Sequence, residues 1–207
     1  FRLAWSSPFD IGWKSAAVNL ADVAAMGARP TGLVVALAVP THLPVSFVEG
    51  LAEGLRAACD ALSPGCAVVG GDLTTSDTLT IAVTAFGSLD GLAPVLRSGA
   101  RAGDVLAIAG TLGSAARGLA VLFERGVDAA GQPIPLDNAT LTQADADALA
   151  IQLRPAPPLS AGIDAARAGA TNIIGLDSSA PALERARAHH ALNGLAVPAA
   201  YRDADVP

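Results

Sequence analysis

Two acids set among small residues are the positions in this sequence best suited to chemistry. Ala67-Val68-Val69 reads as a buried strand, and Gly70-Gly71-Asp72-Leu73-Thr74-Thr75 follows it directly. Paired glycines allow a backbone to approach a ligand closely. The spacing predicts Asp72 where the strand ends, with two hydroxyls behind it. A second acid, Asp22, interrupts the otherwise apolar helical segment Leu20-Ala21-Asp22-Val23-Ala24-Ala25-Met26. Hard carboxylate oxygens are the ligands magnesium prefers, with waters and substrate phosphates completing its shell. Taken together, the segments point to a magnesium-dependent nucleotide site. Each alone has a plainer reading, since Gly-Gly-Asp is common turn chemistry and a helix aspartate is commonly solvated.

Two further strings strengthen the pair. Leu96-Arg97-Ser98-Gly99-Ala100-Arg101-Ala102-Gly103-Asp104 is a basic, glycine-punctuated loop that leads into an apolar strand. Gly110-Thr111-Leu112-Gly113-Ser114 then opens a helix.

The elements that must position these residues follow from pattern. Ser7 is a good N-cap, Pro8 fits the first helical turn and Asp10 suits the positive helix end. That helix is predicted to run to about Met26, with Gly27 as its stop. A buried strand is expected over 32–39, a helix from Pro44 to about Leu62, and strands near 66–70 and 78–86. In the last of these, Thr80, Ala82 and Thr84 alternate with Ile81, Val83 and Ala85. Leu33–Val39 holds no polar residue, so burial on both faces of the sheet is expected. Residues 88–103 read as a loop. Beyond it are predicted a strand at 104–109 and helices at 114–125 and 143–153, with Asp145 and Asp147 on a solvated face. The alternation of helices and apolar strands gives an α/β chain with mixed sheets, and its periodicity leaves the strand order open.

Composition narrows the function. With 207 residues the chain can bury one good core, or one domain and part of another. Its 52% apolar but 4% aromatic content demands a core of alanine, valine and leucine. A net charge of −6 argues against a broad nucleic-acid surface. Cys59 and Cys66, the only cysteines, form no disulfide framework or zinc spacing, which favours the cytosol. Leu33–Val39 is too short to span a bilayer, and no signal peptide is legible. The chain does not begin with Met and reads as a segment with its beginning missing.

Residues 1–169 resemble the thiamine-monophosphate kinases, within the aminoimidazole ribonucleotide synthetase superfamily. The resemblance rests on Pro8–Lys14, Asn19–Pro30, Gly70–Thr75, Arg97–Asp104 and Gly110–Gly113, with Arg154-Pro155-Ala156-Pro157-Pro158-Leu159 similar to the entry into the family's later domain. It implies an N-terminal nucleotide- and magnesium-binding dimerisation domain over 1–103 and the beginning of a second, incomplete α/β domain over 104–171. It further implies Mg2+ held by Asp22 and Asp72, and ATP contacted by Gly71, Asp72 and Arg97. Lys14 and Asn19 have supporting roles. The implied reaction is phosphorylation of thiamine monophosphate to thiamine diphosphate by a homodimer, with neither membrane nor nucleic acid as partner. The family's remaining acidic segments are expected upstream of Phe1, and its Ser-Asp-Gly motif is replaced by Asn172–Ser179. Weak or absent kinase activity is therefore expected of this chain by itself.

The tail from about residue 165 reads differently. Asn172-Ile173-Ile174-Gly175-Leu176-Asp177-Ser178-Ser179 and the segments after it resemble part of a class I S-adenosylmethionine-dependent methyltransferase, with Asp177 as the ribose-binding acid. A methyltransferase-like βα tail is thus expected over 172–207. Two rival readings follow: a fragment of an RNA methyltransferase, and a catalytically dead nucleotide-binding module.

Overall fold

The computed structural model describes residues 1–103 and 112–169. The expected strand at 104–109, Gly110 and Thr111 of the Gly110–Gly113 motif, and the methyltransferase-like tail with Asp177 lie outside the described residues.

Helix α1 spans Pro8–Ala25. Its start is a capping box: the Ser7 hydroxyl accepts the Asp10 N–H at 3.1 Å, and the Asp10 carboxylate accepts the Ser7 N–H at 3.0 Å. Ile11, Ala16, Leu20 and Ala24 recur at helical spacing and are buried. Strand β1 covers Arg29–Val39, and helix α2 covers Val45–Leu62 directly after Pro44. α2 turns Phe47, Leu51, Leu55 and Ala58 inward, against α1 and the sheet.

Strands β2 (Ala67–Thr75) and β3 (Thr80–Ser88) flank β1 in the order β2-β1-β3. β1 pairs parallel with β2 and antiparallel with β3. Leu33, Val35, Leu37 and Val39 point to the helices with Ile81, Val83 and Ala85, as the alternation predicted. The register breaks between Leu33 and Val34, where Val69 is the extra residue of a β-bulge.

One expectation about the sheet is corrected: β2 continues through Gly70–Thr75, so Asp72 lies within the strand and not at its end. Pairing with β1 carries the backbone past the glycines. Within the single subunit the sheet is covered on one face. Ala36, Ala82 and Thr84 are exposed on the other, and every residue of β2 is exposed. An open groove of about 310 Å³ separates β2 from α2, lined by Val35, Leu37, Leu51, Leu55, Val68 and Leu73.

The remaining helices are α3 (Ser114–Arg125), α4 (Gln143–Leu153) and α5 (Leu159–Arg167). Asp145 is not solvated. It is 7% exposed and accepts from Arg117 Nε at 2.8 Å, joining α4 to α3. That hydrogen-bonded guanidinium holds its carboxyl below the usual range. Asp147, exposed and bonded only to Gln143 of its own helix, does face water.

The connector after α4 docks on the first turns of α1. Arg154 pairs with Asp10 and lies over the Phe9 ring, 4.8 Å from its centroid. Trp13 Nε1 donates to the Pro155 carbonyl at 2.8 Å, and Lys14 Nζ donates to the Gln152 carbonyl at 2.8 Å. Lys14 thereby places a cation at the carbonyl end of α4, where the helix dipole favours it. Asn19 only donates back to Ser15 within α1.

Candidate functional site

Asp72 pairs across the sheet with Ala36, and Ala36 in turn with Ala82. Paired residues share a face, so the Asp72 carboxylate stands over two alanines on the side away from the helices. The next row along is Thr74–Ala38–Thr80, and the row before it is Gly70–Val34–Thr84. The open face therefore presents one carboxylate, three hydroxyls and little bulk. These are hard oxygen donors with room for a bulky anion, a set that suits magnesium bound through one carboxylate, waters and phosphates.

The two glycines beside Asp72 play different parts. A Cβ on Gly71 would sit 2.0 Å from the Val35 carbonyl oxygen, so the close pairing of β1 and β2 by itself excludes a side chain. A Cβ on Gly70 would meet nothing within 4 Å. Packing accounts for the first glycine, and open space for a ligand is found at the second.

Asp22 is exposed on the last turns of α1. Its neighbour Val23 packs on Gly87, where a Cβ would fall 2.4 Å from the valine methyl. Gly87 pairs with Pro30 at the start of β1. Arg97 opens a short 3-10 turn, Arg97–Gly99. The segment before that turn is tied to the same end of α1, because the Val95 N–H donates to the Met26 carbonyl at 3.1 Å. The structure thus brings the Arg97 segment to the end of α1 that carries Asp22, and leaves Asp72 apart from both. Among the described residues, no cluster of three or more His, Cys, Asp or Glu side chains could hold a metal.

Sequence reasoning missed Asp90. Its carboxylate faces Arg29 at 3.4 Å and Arg167 at 3.6 Å, and accepts from the Ser88 hydroxyl at 2.7 Å. Asp90 takes φ +51°, the one positive value among the described non-glycine residues. The clue in the sequence was the Asp90-Gly91 dipeptide, a turn signal. This clamp joins β1, the loop after β3 and α5.

A one-faced mixed sheet with a glycine-flanked acid in its edge strand is the architecture of a known class. Residues 1–89 match the family described as AIR synthase related protein, N-terminal domain, and form such a domain. Within that class, the chain is similar to the thiamine-monophosphate kinases. It is 41% identical over 174 residues to the thiamine-monophosphate kinase of Mycobacterium tuberculosis, covering 84% of this chain and 47% of the relative. The crystal structure of thiamine monophosphate kinase from Aquifex aeolicus superposes with a TM-score of 0.64 at 30% identity, covering 76% of this chain and 48% of that one. AaThiL complexed with AMPPCP and TMP gives the same score and identity over 76% of this chain and 46% of that one. The chain spans about half the length of the curated relatives it matches. Nothing in these likenesses favours the methyltransferase reading. Among the described residues, no helix is long and apolar enough to cross a membrane.

Proposed function

We propose that this chain serves the magnesium-dependent transfer of the ATP γ-phosphoryl group to thiamine monophosphate, giving thiamine diphosphate and ADP. The observation that carries this reading is the likeness to AaThiL complexed with AMPPCP and TMP. AMPPCP stands in for ATP, with a carbon bridge where the β–γ oxygen would break. A terminal oxygen of the monophosphate attacks the γ-phosphorus as the bond to the β–γ bridging oxygen breaks. Such a transfer asks a protein mainly for positioning and charge neutralisation. Magnesium supplies the charge neutralisation on the polyphosphate. Asp22 and Asp72 are the carboxylates that would hold it, with the Gly71 backbone and Arg97 meeting the nucleotide. The cytosol, where ATP is plentiful, is the proposed compartment.

Calorimetry with magnesium and AMPPCP tests the reading. Asp72→Asn is expected to lower affinity at least about tenfold, as loss of one charged ligand to the magnesium on a polyphosphate should. Asp147→Asn, which alters only a solvated helix face, should leave it unchanged. Equal losses from both would remove the site from β2.

The same reading includes a homodimer. An uncovered edge strand and bare sheet face are an aggregation hazard in a lone subunit, and a second copy is the natural cover under two-fold symmetry. Light scattering is expected to give twice the chain mass, with or without residues 172–207. A monomer in both cases would refute the homodimer.

A further inference from the structure

Cys59 and Cys66 take no part in the candidate site, yet the fold brings them together. Cys59 lies in the last turn of α2, and Cys66 stands immediately before β2. The return between them is short and tied down. The Ser63 N–H donates to the Cys59 carbonyl and the Cys66 N–H to the Ser63 carbonyl, both at 2.9 Å. Gly65 takes φ +93°, a conformation open to glycine, and turns the chain back toward the helix. Both cysteines are buried in the main core, at 1% and 3% exposure, as free thiols. The two thiols hydrogen-bond to each other.

A buried cysteine by itself serves as a small apolar residue. Two in contact form a dithiol, with the sulfurs already at the approach that a disulfide needs. The groove between β2 and α2 is lined by Leu55 and Val68, one turn before Cys59 and two residues after Cys66, so a small oxidant has a short way to the pair. The two sulfurs are not equivalent. Burial pushes the Cys59 thiol up to about 12. Burial raises Cys66 as well, but the Cys59 thiol and the Ala67 N–H oppose it by hydrogen bonding to the Cys66 sulfur. Cys66 is thus the sulfur that ionises first, and the thiolate is the attacking form.

We propose that Cys59 and Cys66 are a reversible redox pair, which a hydroperoxide closes into a disulfide within one chain. The Cys66 thiolate attacks one peroxide oxygen. The O–O bond breaks, the far oxygen leaves as hydroxide and takes up a proton to become water, and Cys66 becomes a sulfenic acid. The Cys59 sulfur then attacks the Cys66 sulfur, the S–O bond breaks, and the departing hydroxide leaves as water with the Cys59 proton. Two thiols and one hydrogen peroxide give one disulfide and two waters, and a dithiol reductant reverses the change. The link fastens the root of β2, the strand that carries Asp72, to the end of α2. It does not depend on what the chain binds.

Hydrogen peroxide and wild-type protein test the pair. The treated chain, still folded by circular dichroism, is unfolded, alkylated with a maleimide and cut before Asp60, which separates the two cysteines. Neither cysteine should be alkylated, and the two fragments should stay joined until dithiothreitol parts them. Two alkylated thiols, or disulfides only between chains, would overturn the proposal. Cys59→Ser should leave Cys66 as a sulfenic acid that dimedone captures, whereas Cys66→Ser should leave Cys59 unoxidised. The reverse pattern overturns the assignment of Cys66 as the attacking sulfur. The oxidised wild-type chain should also melt roughly 5 °C above the reduced one, because the link restrains the unfolded chain. An oxidised chain that melts no higher shows a native fold that resists the link, and overturns the proposal even where the variants do not fold.

Discussion

Gly54→Ala and Gly12→Ala are each expected to lower the thermal midpoint by roughly 4–8 °C, as followed by circular dichroism. The two glycines are where α1 and α2 touch backbone to backbone. A Cβ on Gly54 would lie 2.1 Å from the Phe9 carbonyl oxygen and 2.8 Å from the Trp13 nitrogen. One on Gly12 would lie 2.0 Å from the Leu51 carbonyl oxygen. Neither neighbour is the end of a flexible side chain, so the helices must part, and overpacking of this kind costs about 3 kcal/mol. Alanine's better helix propensity returns up to about 1 kcal/mol, leaving a net loss. Gly50→Ala is the control. There the nearest atom is a Pro8 side-chain carbon at 3.1 Å, and a shift of a few tenths of an ångström suffices. Matching midpoints for Gly50→Ala and Gly54→Ala would show that the helices do not meet this closely.

The second large effect concerns Asp10, which caps α1 and anchors the connector after α4. Burial pushes its carboxyl up, but the Ser7 hydroxyl, Arg154 and the Ser7 N–H outweigh it, and the net shift is below the ordinary value of 3.8. A carboxyl lowered in the folded state stabilises the fold above its unfolded pKa, and that stabilisation disappears as pH falls through the folded value. Asp10→Ala is expected to cost about 2 kcal/mol at neutral pH. About half is the lost cap, and the rest is an ion pair discounted because Arg154 is half exposed. The gap between the urea midpoints of wild type and variant should be widest above about pH 4 and narrow as the solution is acidified below 3.8, leaving the share of the cap that a neutral carboxyl still makes. A gap that stays constant into acid would remove the charge from the account. Asp10→Asn, which keeps an oxygen for the Ser7 cap, should fall between the two.

Much of the N-terminal architecture was legible because its signals are local. Ser7, Pro8 and Asp10 announce the start of α1, and the helices at 114–125 and 143–153 begin and end where their patterns place them. Long-range partners decided the rest. Asp145 reads as solvated because nothing nearby in sequence reveals Arg117, 28 residues away. The strand predicted near 66–70 stops short of Gly71 and Asp72, yet β1 draws both into the sheet. The candidate acids were recognisable by type and context. Their separation was not, because it depends on the register between β1 and its two neighbours, which a single strand's pattern leaves open.

The bulge at Val69 has a consequence for the fate of Asp72 under insertion or deletion. Upstream of it, Val68 matches Leu33 and faces the helices. Downstream, the extra residue moves every side chain of β2 to the opposite parity, so Asp72 matches Ala36. A chain lacking one residue between Val68 and Gly70 would slide into the next frame and set the acid opposite Leu37, under α2, among aliphatic side chains. A carboxylate there would face the groove between β2 and α2, where Leu73 now stands, and would be lost from the open face of the sheet. Val69 thus acts as a phase shifter: one residue lets a single strand keep its greasy side inward at the beginning and still deliver a charge to the outside about 10 Å further on.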